Sequence, residues 1–326
     1  MAESKLESKL ESKLESNLES IKGKISLGLC CINTELRLKK PPIFCSRSCI
    51  RRTFTVDSAK EKALQNVKDI KKLIKWNQKN NIRCLRLSSD IFPHFTDTKT
   101  EKYTIDFARE DLKIAGDLAN SLKHRIVMHP GQYNQVGAKS ETVFEKTVED
   151  LSHHAEILDA MGIDNNGVLI VHGGGTYGDK KASKRRWIEQ FSDLPKKVKE
   201  RLVLENCERQ YSTRDCLKIA KKCNIPVVFD FHHYHCYSKI YPEKKQKSIL
   251  ELAPKIIDSW GDRTVLMHVS EQGKGRIGHH SDFIENIPED LISIVKTYDI
   301  NIDLEVEAKM KEQAIIKLYK KYPELF

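Results

Sequence analysis

Histidine, glutamate and aspartate punctuate the ends of short apolar runs along this chain. They are His129, His172, Glu205, Asp230 with His233 three residues on, His268 with His280 in the segment after it, and Glu307. Any one such histidine is more often a hydrogen-bonded structural residue than a ligand. Six consecutive runs ending this way is a different matter. Burying five imidazoles and three carboxylates together costs desolvation and carboxylate repulsion, and divalent cations remove both. Eight donors exceed the four of a tetrahedral zinc site, so two or three divalent ions sharing bridging carboxylates are expected. Mixed nitrogen and oxygen ligation suits manganese or zinc better than magnesium or calcium. Ions a few ångströms apart activate water, hold a phosphorus centre and stabilise a leaving oxygen, which is the chemistry of phosphodiester hydrolysis.

Something must bring these residues together. The apolar runs are 24–30, 83–89, 125–130, 167–173, 201–206, 226–231, 264–270 and 301–307. They are rich in Val, Ile and Leu, and polar residues come at their ends, as in fully buried parallel strands. Between and after them the pattern predicts helices over 57–78, 104–122, 141–162, 181–200, 213–223, 246–258, 287–297 and 309–321. Ser212–Thr213 reads as one helix start and Thr104 to Asp106 as another. Strand–helix alternation repeated eight times predicts an α/β (β/α)8 TIM barrel, whose catalytic residues lie at the carboxyl ends of strands. A doubly wound open sheet is the alternative, but no Gly-rich phosphate loop follows the first strand.

Two segments look like functional insertions. Residues 31–56 separate the first strand from its helix and carry Arg37, Lys39, Lys40, Arg47, Arg51 and Arg52. Residues 234–248 follow the sixth strand and mix Tyr234, Tyr237 and Tyr241 with lysines. On a barrel, such loops overhang the active face, and basic and aromatic residues suit nucleic acid. The bland reading is a pair of solvated loops.

The remaining bulk features are consistent with one catalytic domain plus an extension. Residues 3–20 repeat ESKL, a period that drifts around a helix and sets like charges four apart. Residues 1–23 are therefore assigned as a low-complexity N-terminal tail and 24–326 as the barrel domain. The 326 residues carry a net charge of +10, which fits either surface lysines or a polyanion partner. No run approaches the roughly 20 apolar residues of a membrane span, and no apolar signal core opens the chain. Nine scattered cysteines read as reduced thiols. The expectation is an intracellular protein, cytoplasmic or nuclear, acting as a monomer.

Other candidates carry less. Gly173, Gly174 and Gly175 suit either a close phosphate approach or a tight turn. His153 and His154 sit mid-helix. Alternation points His232 away from His233, and His235 and His279 are substitutes for their neighbours. Cys30 and Cys31 have no legible histidine partner, and Cys45 and Cys49 lack a second ligand pair.

With these residues in view, the chain resembles the UV damage endonucleases, a barrel family related to endonuclease IV and to sugar isomerases. The blocks that carry the resemblance are RCLRLSSDIFPH (83–94), MHPGQYNQV (128–136), VLIVHGGGTYGDK (168–180), RLVLENCE (201–208), PVVFDFHHYH (226–235), HHSDFI (279–284) and EVEAKMKE (305–312). Trp76–Asn77 also matches, and the likeness runs from about 24 to about 320. It implies cleavage of damaged double-stranded DNA 5′ to lesions such as UV photoproducts, with several divalent ions, manganese foremost and Zn2+ or Mg2+ as alternatives. It implies that the eight residues named above are the metal ligands and that Glu205 is central to catalysis. Gln132 and Tyr133 match the pair that probes the lesion, in keeping with the lower cost of extruding poorly stacked bases. Asn33 matches a polar residue near the damage, and Lys309 follows the last ligand in an E-x-K pattern that steadies a phosphate or the ligand shell. Two positions depart from the family. Leu29 stands where an aromatic residue is common, and Leu266 stands where a modifiable lysine contributes to the metal site.

Two rivals remain at this level. A metal-dependent sugar isomerase or epimerase, or an abasic-site endonuclease, would share the rim of ligands. A non-catalytic DNA-binding descendant would not need the complete set.

Overall fold

Eight short strands form where the apolar runs predict them, in a computed structural model that describes residues 22–326. They are β1 (Ile25–Cys30), β2 (Cys84–Leu87), β3 (Arg125–Met128), β4 (Leu169–His172), β5 (Leu202–Glu205), β6 (Val227–Asp230), β7 (Val265–Val269) and β8 (Ile302–Val306). Each pairs in parallel with the next, and β8 closes on β1. The assigned tail falls at residues 1–21 outside the described residues, and its last two residues lie inside them.

The helices are α1 (Thr34–Arg37), α2 (Val56–Lys79), α3 (Arg109–Ser121), α4 (Glu141–Ala160), α5 (Lys180–Ser192), α6 (Lys196–Lys199), α7 (Thr213–Cys223), α8 (Phe231–Ile240), α9 (Ile249–Trp260), α10 (Glu289–Tyr298) and α11 (Glu312–Lys321). Helix α7 matches its expected span, and Ser212 caps it in a reciprocal capping box with Asp215. The helix expected from Thr104 begins later: Asp106–Ala108 is one 3-10 turn and α3 follows from Arg109.

The main correction concerns the segment after β6. It is not wholly a loop, because its first ten residues are α8, and Asp230 caps that helix by accepting from the His233 backbone N–H at 2.6 Å. The turn from strand to helix also overturns the alternation argument for His232. Successive helical residues point about 100° apart rather than to opposite faces. His232 is buried, with its ring 6.2 Å from His233 and 5.7 Å from His280.

The long first connection is ordered by specific anchors. The Glu312 carboxylate, buried at the head of α11, accepts from the backbone N–H of Thr34 at 2.7 Å and of Glu35 at 2.9 Å, satisfying the start of α1. Further along, Arg47 pairs with buried Asp69 of α2 at 2.8 Å, and the Asn66 amide donates to Arg47 O and Ile91 O.

The apolar core lies between strands and helices, with Trp187 and Trp260 fully or nearly fully buried. The barrel interior is partly polar. Along β8 and the residue after it, Asp303, Glu305 and Glu307 alternate on one parity, and all three are buried. Gly28 of β1 lies in register with both Cys84 and Glu305. A Cβ on Gly28 would sit 3.1 Å from Cys84 Cβ and 3.3 Å from Glu305 Cγ, so a side chain there would press on the glutamate.

Candidate metal centre at the strand ends

Strand register creates the site. His172 is the register partner of Glu205, and Asp230 is the register partner of His268. His129 follows β3 by one residue, Glu307 follows β8 by one, and His233 lies in the first turn of α8. His280 lies beyond β7, where a bridge to Gln272 folds its loop back.

These residues interlock around Glu205. Glu205 Oε2 is 3.0 Å from His129 Nε2 and 3.7 Å from His172 Nε2. Its other oxygen, Oε1, is 3.1 Å from His233 Nδ1 and 3.3 Å from His268 Nδ1. His280 Nε2 is 3.7 Å from Glu307 Oε2 at the more open edge. Three overlapping triples bring their ligand atoms within 4.8 Å of one another: His129–His172–Glu205, Glu205–Asp230–His233 and Asp230–His268–Glu307. Glu205 joins the first two and Asp230 the last two. All eight residues expected from the sequence therefore meet at one rim, seven of them within these triples and His280 beside the third.

Buried donors without partners test whether ions fit. Asp230 uses Oδ1 to cap α8, while its Oδ2 is buried with no hydrogen-bond partner. His268 Nδ1 is likewise buried without a well-directed hydrogen bond, although Glu205 is near. Such atoms are costly unless something charged completes them. A divalent cation matches this set of imidazoles and carboxylates.

The buried charges shift one another in both directions. Burial alone would raise the Glu205 carboxyl, but His172 and His268 outweigh it and hold Glu205 well below the usual range. Asp230 goes the other way: burial, reinforced by Glu205 and Glu307, overcomes His233 and pushes it up to about 6. Burial brings His172 down to about 4, which keeps the imidazole neutral, as a ligand must be. His268 is lifted well above its ordinary value by Glu205 and Glu305 against the pull of burial.

Several participants were missed in the sequence. Arg86, inside the barrel on β2, contacts Glu307 and lies 3.6 Å from Glu305. Glu305 lies 2.7 Å from His268 Nε2. Glu305 shares strand parity with Glu307, and that parity was the available signal; Arg86 had none. Asn206 clamps the end of β6 by accepting from Asp230 N and donating to Asp230 O, each at 3.0 Å.

The remaining expected residues are placed as follows. Gln132 and Tyr133 are exposed in the loop after β3, and the Tyr133 hydroxyl donates to Asp150 at 3.3 Å. A Cβ on Gly131 would lie 2.4 Å from the Tyr133 ring, so the glycine leaves room for that ring position. Lys309 is exposed, with Nζ 3.9 Å from Asp282. Asn33 is fully buried: its side-chain oxygen accepts from Leu36 N at 2.7 Å as the cap of α1, and its Nδ2 is buried without a hydrogen-bond partner. Leu266 is fully buried and apolar and offers the cluster no ligand atom.

Among the glycines, Gly173 serves packing, since a Cβ there would meet the Tyr211 ring at 2.5 Å. Gly175 N donates to Gln135 Oε1 at 3.1 Å, tying the β3 and β4 loops together. Cys30, Cys45, Cys49 and the other cysteines are free thiols, and Cys30 is raised well above its ordinary value by burial. His153 is buried and stacks on Phe95 with centroids 3.6 Å apart.

Comparison with known proteins identifies the family. The UV-endonuclease UvdE family pattern matches residues 25–325. The UV-damage endonuclease of Schizosaccharomyces pombe is 37% identical over 312 residues, covering 91% of this chain and 50% of that protein. The UV DNA damage endonuclease of Clostridium perfringens is 34% identical over 278 residues, covering 82% of this chain and 66% of that protein. This chain thus spans half of the first relative's length and about two thirds of the second's. The crystal structure of SacUVDE superposes with a TM-score of 0.79 at 28% identity, over 92% of this chain and 99% of that one. With the match running from the first barrel strand to the last helix, this chain belongs to the UV-endonuclease UvdE family.

Proposed function

We propose that this chain is a divalent-metal-dependent DNA repair endonuclease that nicks the backbone 5′ to UV photoproducts or other distorting base lesions. The observation that carries the reading is the set of three overlapping ligand triples sharing Glu205 and Asp230 at the barrel mouth. His129, His172, Glu205, Asp230, His233, His268, His280 and Glu307 would hold two or three ions, with Mn2+ as the leading choice and Zn2+ or Mg2+ as alternatives. Bound there, such ions polarise a phosphodiester, lower the pKa of water and stabilise the departing oxygen.

The chain's own residues do the rest. Glu205 and Asp230 supply shared carboxylates, so loss of either disturbs two positions at once. Exposed Lys309 is placed to pair with a phosphate in competition with Asp282. Tyr133, 63% exposed beside Gln132, is the group that fills the space of a poorly stacked base. Damaged double-stranded DNA is the partner, engaged by one copy of the chain inside the cell.

Relaxation of supercoiled plasmid tests the reading. With manganese supplied, UV-irradiated plasmid should be nicked and unirradiated plasmid spared, and a chelator should abolish the difference. Equal inertness toward both plasmids by protein shown to contain metal would refute it. Turnover of a ketose, with no nicking, would favour a sugar epimerase instead.

A further inference from the structure

We infer that Glu305 is a positioning residue that holds the ring of His268 from behind, so that Nδ1 faces the metal centre. The inference rests on the metal reading of the cluster. His268 is fully buried, and its two nitrogens face different surroundings. Nδ1 looks toward the rim, 3.3 Å from Glu205 Oε1, 3.8 Å from Glu307 Oε1 and 4.0 Å from Asp230 Oδ2. Nε2 looks down the barrel, 2.7 Å from Glu305 Oε2. That approach is close but bent, and it falls short of a well-directed hydrogen bond.

Strand geometry makes the contact. His268 and Glu305 are register partners on β7 and β8. Gly28, in register on the other side, leaves the glutamate room. Glu305 and Glu307 share a parity yet divide the work: Glu307 belongs to a ligand triple and Glu305 does not. A neutral imidazole that offers Nδ1 to a metal carries its hydrogen on Nε2. A carboxylate at Nε2 fixes that tautomer and the ring orientation, and it strengthens the ligand.

A plainer role would be to neutralise Arg86. Arg86, however, already contacts Glu307 and is farther from Glu305, at 3.6 Å. Glu305 is therefore closer to the ring it would position than to the charge it would balance.

The test titrates the purified full chain and two variants with MnCl2, measuring stoichiometry and affinity by calorimetry, with circular dichroism to confirm folding. Glu305→Met should bind its weakest ion about 10- to 100-fold less tightly, the usual cost of losing the partner of a ligating histidine. Glu305→Gln keeps an acceptor oxygen and should recover most of that loss. A folded Glu305→Met protein with wild-type stoichiometry and affinity would overturn the inference. Should Glu305→Met fail to fold, 15N spectra of the zinc-loaded wild type decide. Hydrogen on Nε2 of His268 is expected there, and hydrogen on Nδ1 overturns it. A wild-type chain that binds none of manganese, zinc and magnesium refutes the metal centre itself, and with it this role. That outcome is distinct from a loss confined to the variant.

Discussion

His172 and Glu205 stand side by side in register on β4 and β5, with His172 Nε2 3.7 Å from Glu205 Oε2. That pairing seats one carboxylate among His129, His172, His233 and His268. Glu205→Gln keeps the shape and removes the charge shared by two triples. It should lower nicking by at least about 100-fold and reduce the manganese bound per chain, while damaged-DNA binding persists. Parallel measurement of metal content and nicking checks this. Undiminished nicking would remove Glu205 from the centre of the account.

Tyr133 is expected to read the lesion. Tyr133→Ala should narrow the preference for irradiated over intact duplex about tenfold, without lowering metal content. The scale follows from the roughly 1–3 kcal/mol of one base–aromatic stack. Binding measured on both duplexes checks it, and an unchanged preference would count against the probing role.

The loop between β1 and α2 depends on Glu312. Glu312→Ala leaves the Thr34 and Glu35 N–H groups without their acceptor. By analogy with a lost helix cap, stability should fall by about 1–2 kcal/mol. Amide exchange at residues 34–36 should accelerate selectively. Wild-type exchange at those amides would show that the anchor does not hold the loop.

Asp215 offers a pH test away from the cluster. Burial would raise its carboxyl, but Lys184 at 2.7 Å and Lys180 at 2.9 Å outweigh that and bring it to about 2. A depressed carboxyl stabilises the fold above its unfolded value of about 3.8, and that contribution is lost as pH falls toward 2. Asp215→Asn should cost about 1–2 kcal/mol at pH 7, after allowance for partial exposure, and much less near pH 2. Denaturant unfolding at both pH values measures it. A penalty independent of pH would assign the residue to capping alone.

The barrel and the rim were legible because buried parallel strands read as unbroken apolar runs, and their ligand residues interrupt those runs at one end. Helix α8 was not legible. PheHisHisTyrHisCys (231–236) carries no apolar helical period, and its start depends on Asp230 acting as a cap, which one carboxylate in a strand does not announce. Glu305 and Arg86 are charged residues inside strands, and an apolar run does not by itself say which parity faces the barrel interior. In the closed barrel theirs points inward. The capping role of Asn33 was not legible either, because a buried cap two residues after a positive-φ cysteine depends on backbone course that side-chain identity does not encode.

The most direct measurement uses a duplex carrying one photoproduct at a known position, mixed with metal-loaded protein and resolved on a sequencing gel. The account predicts a single break on the 5′ side of the lesion, with a 3′-hydroxyl end, no cut in the undamaged duplex, and no cut after chelation. An intact lesion strand in the presence of fully metal-loaded protein would contradict it.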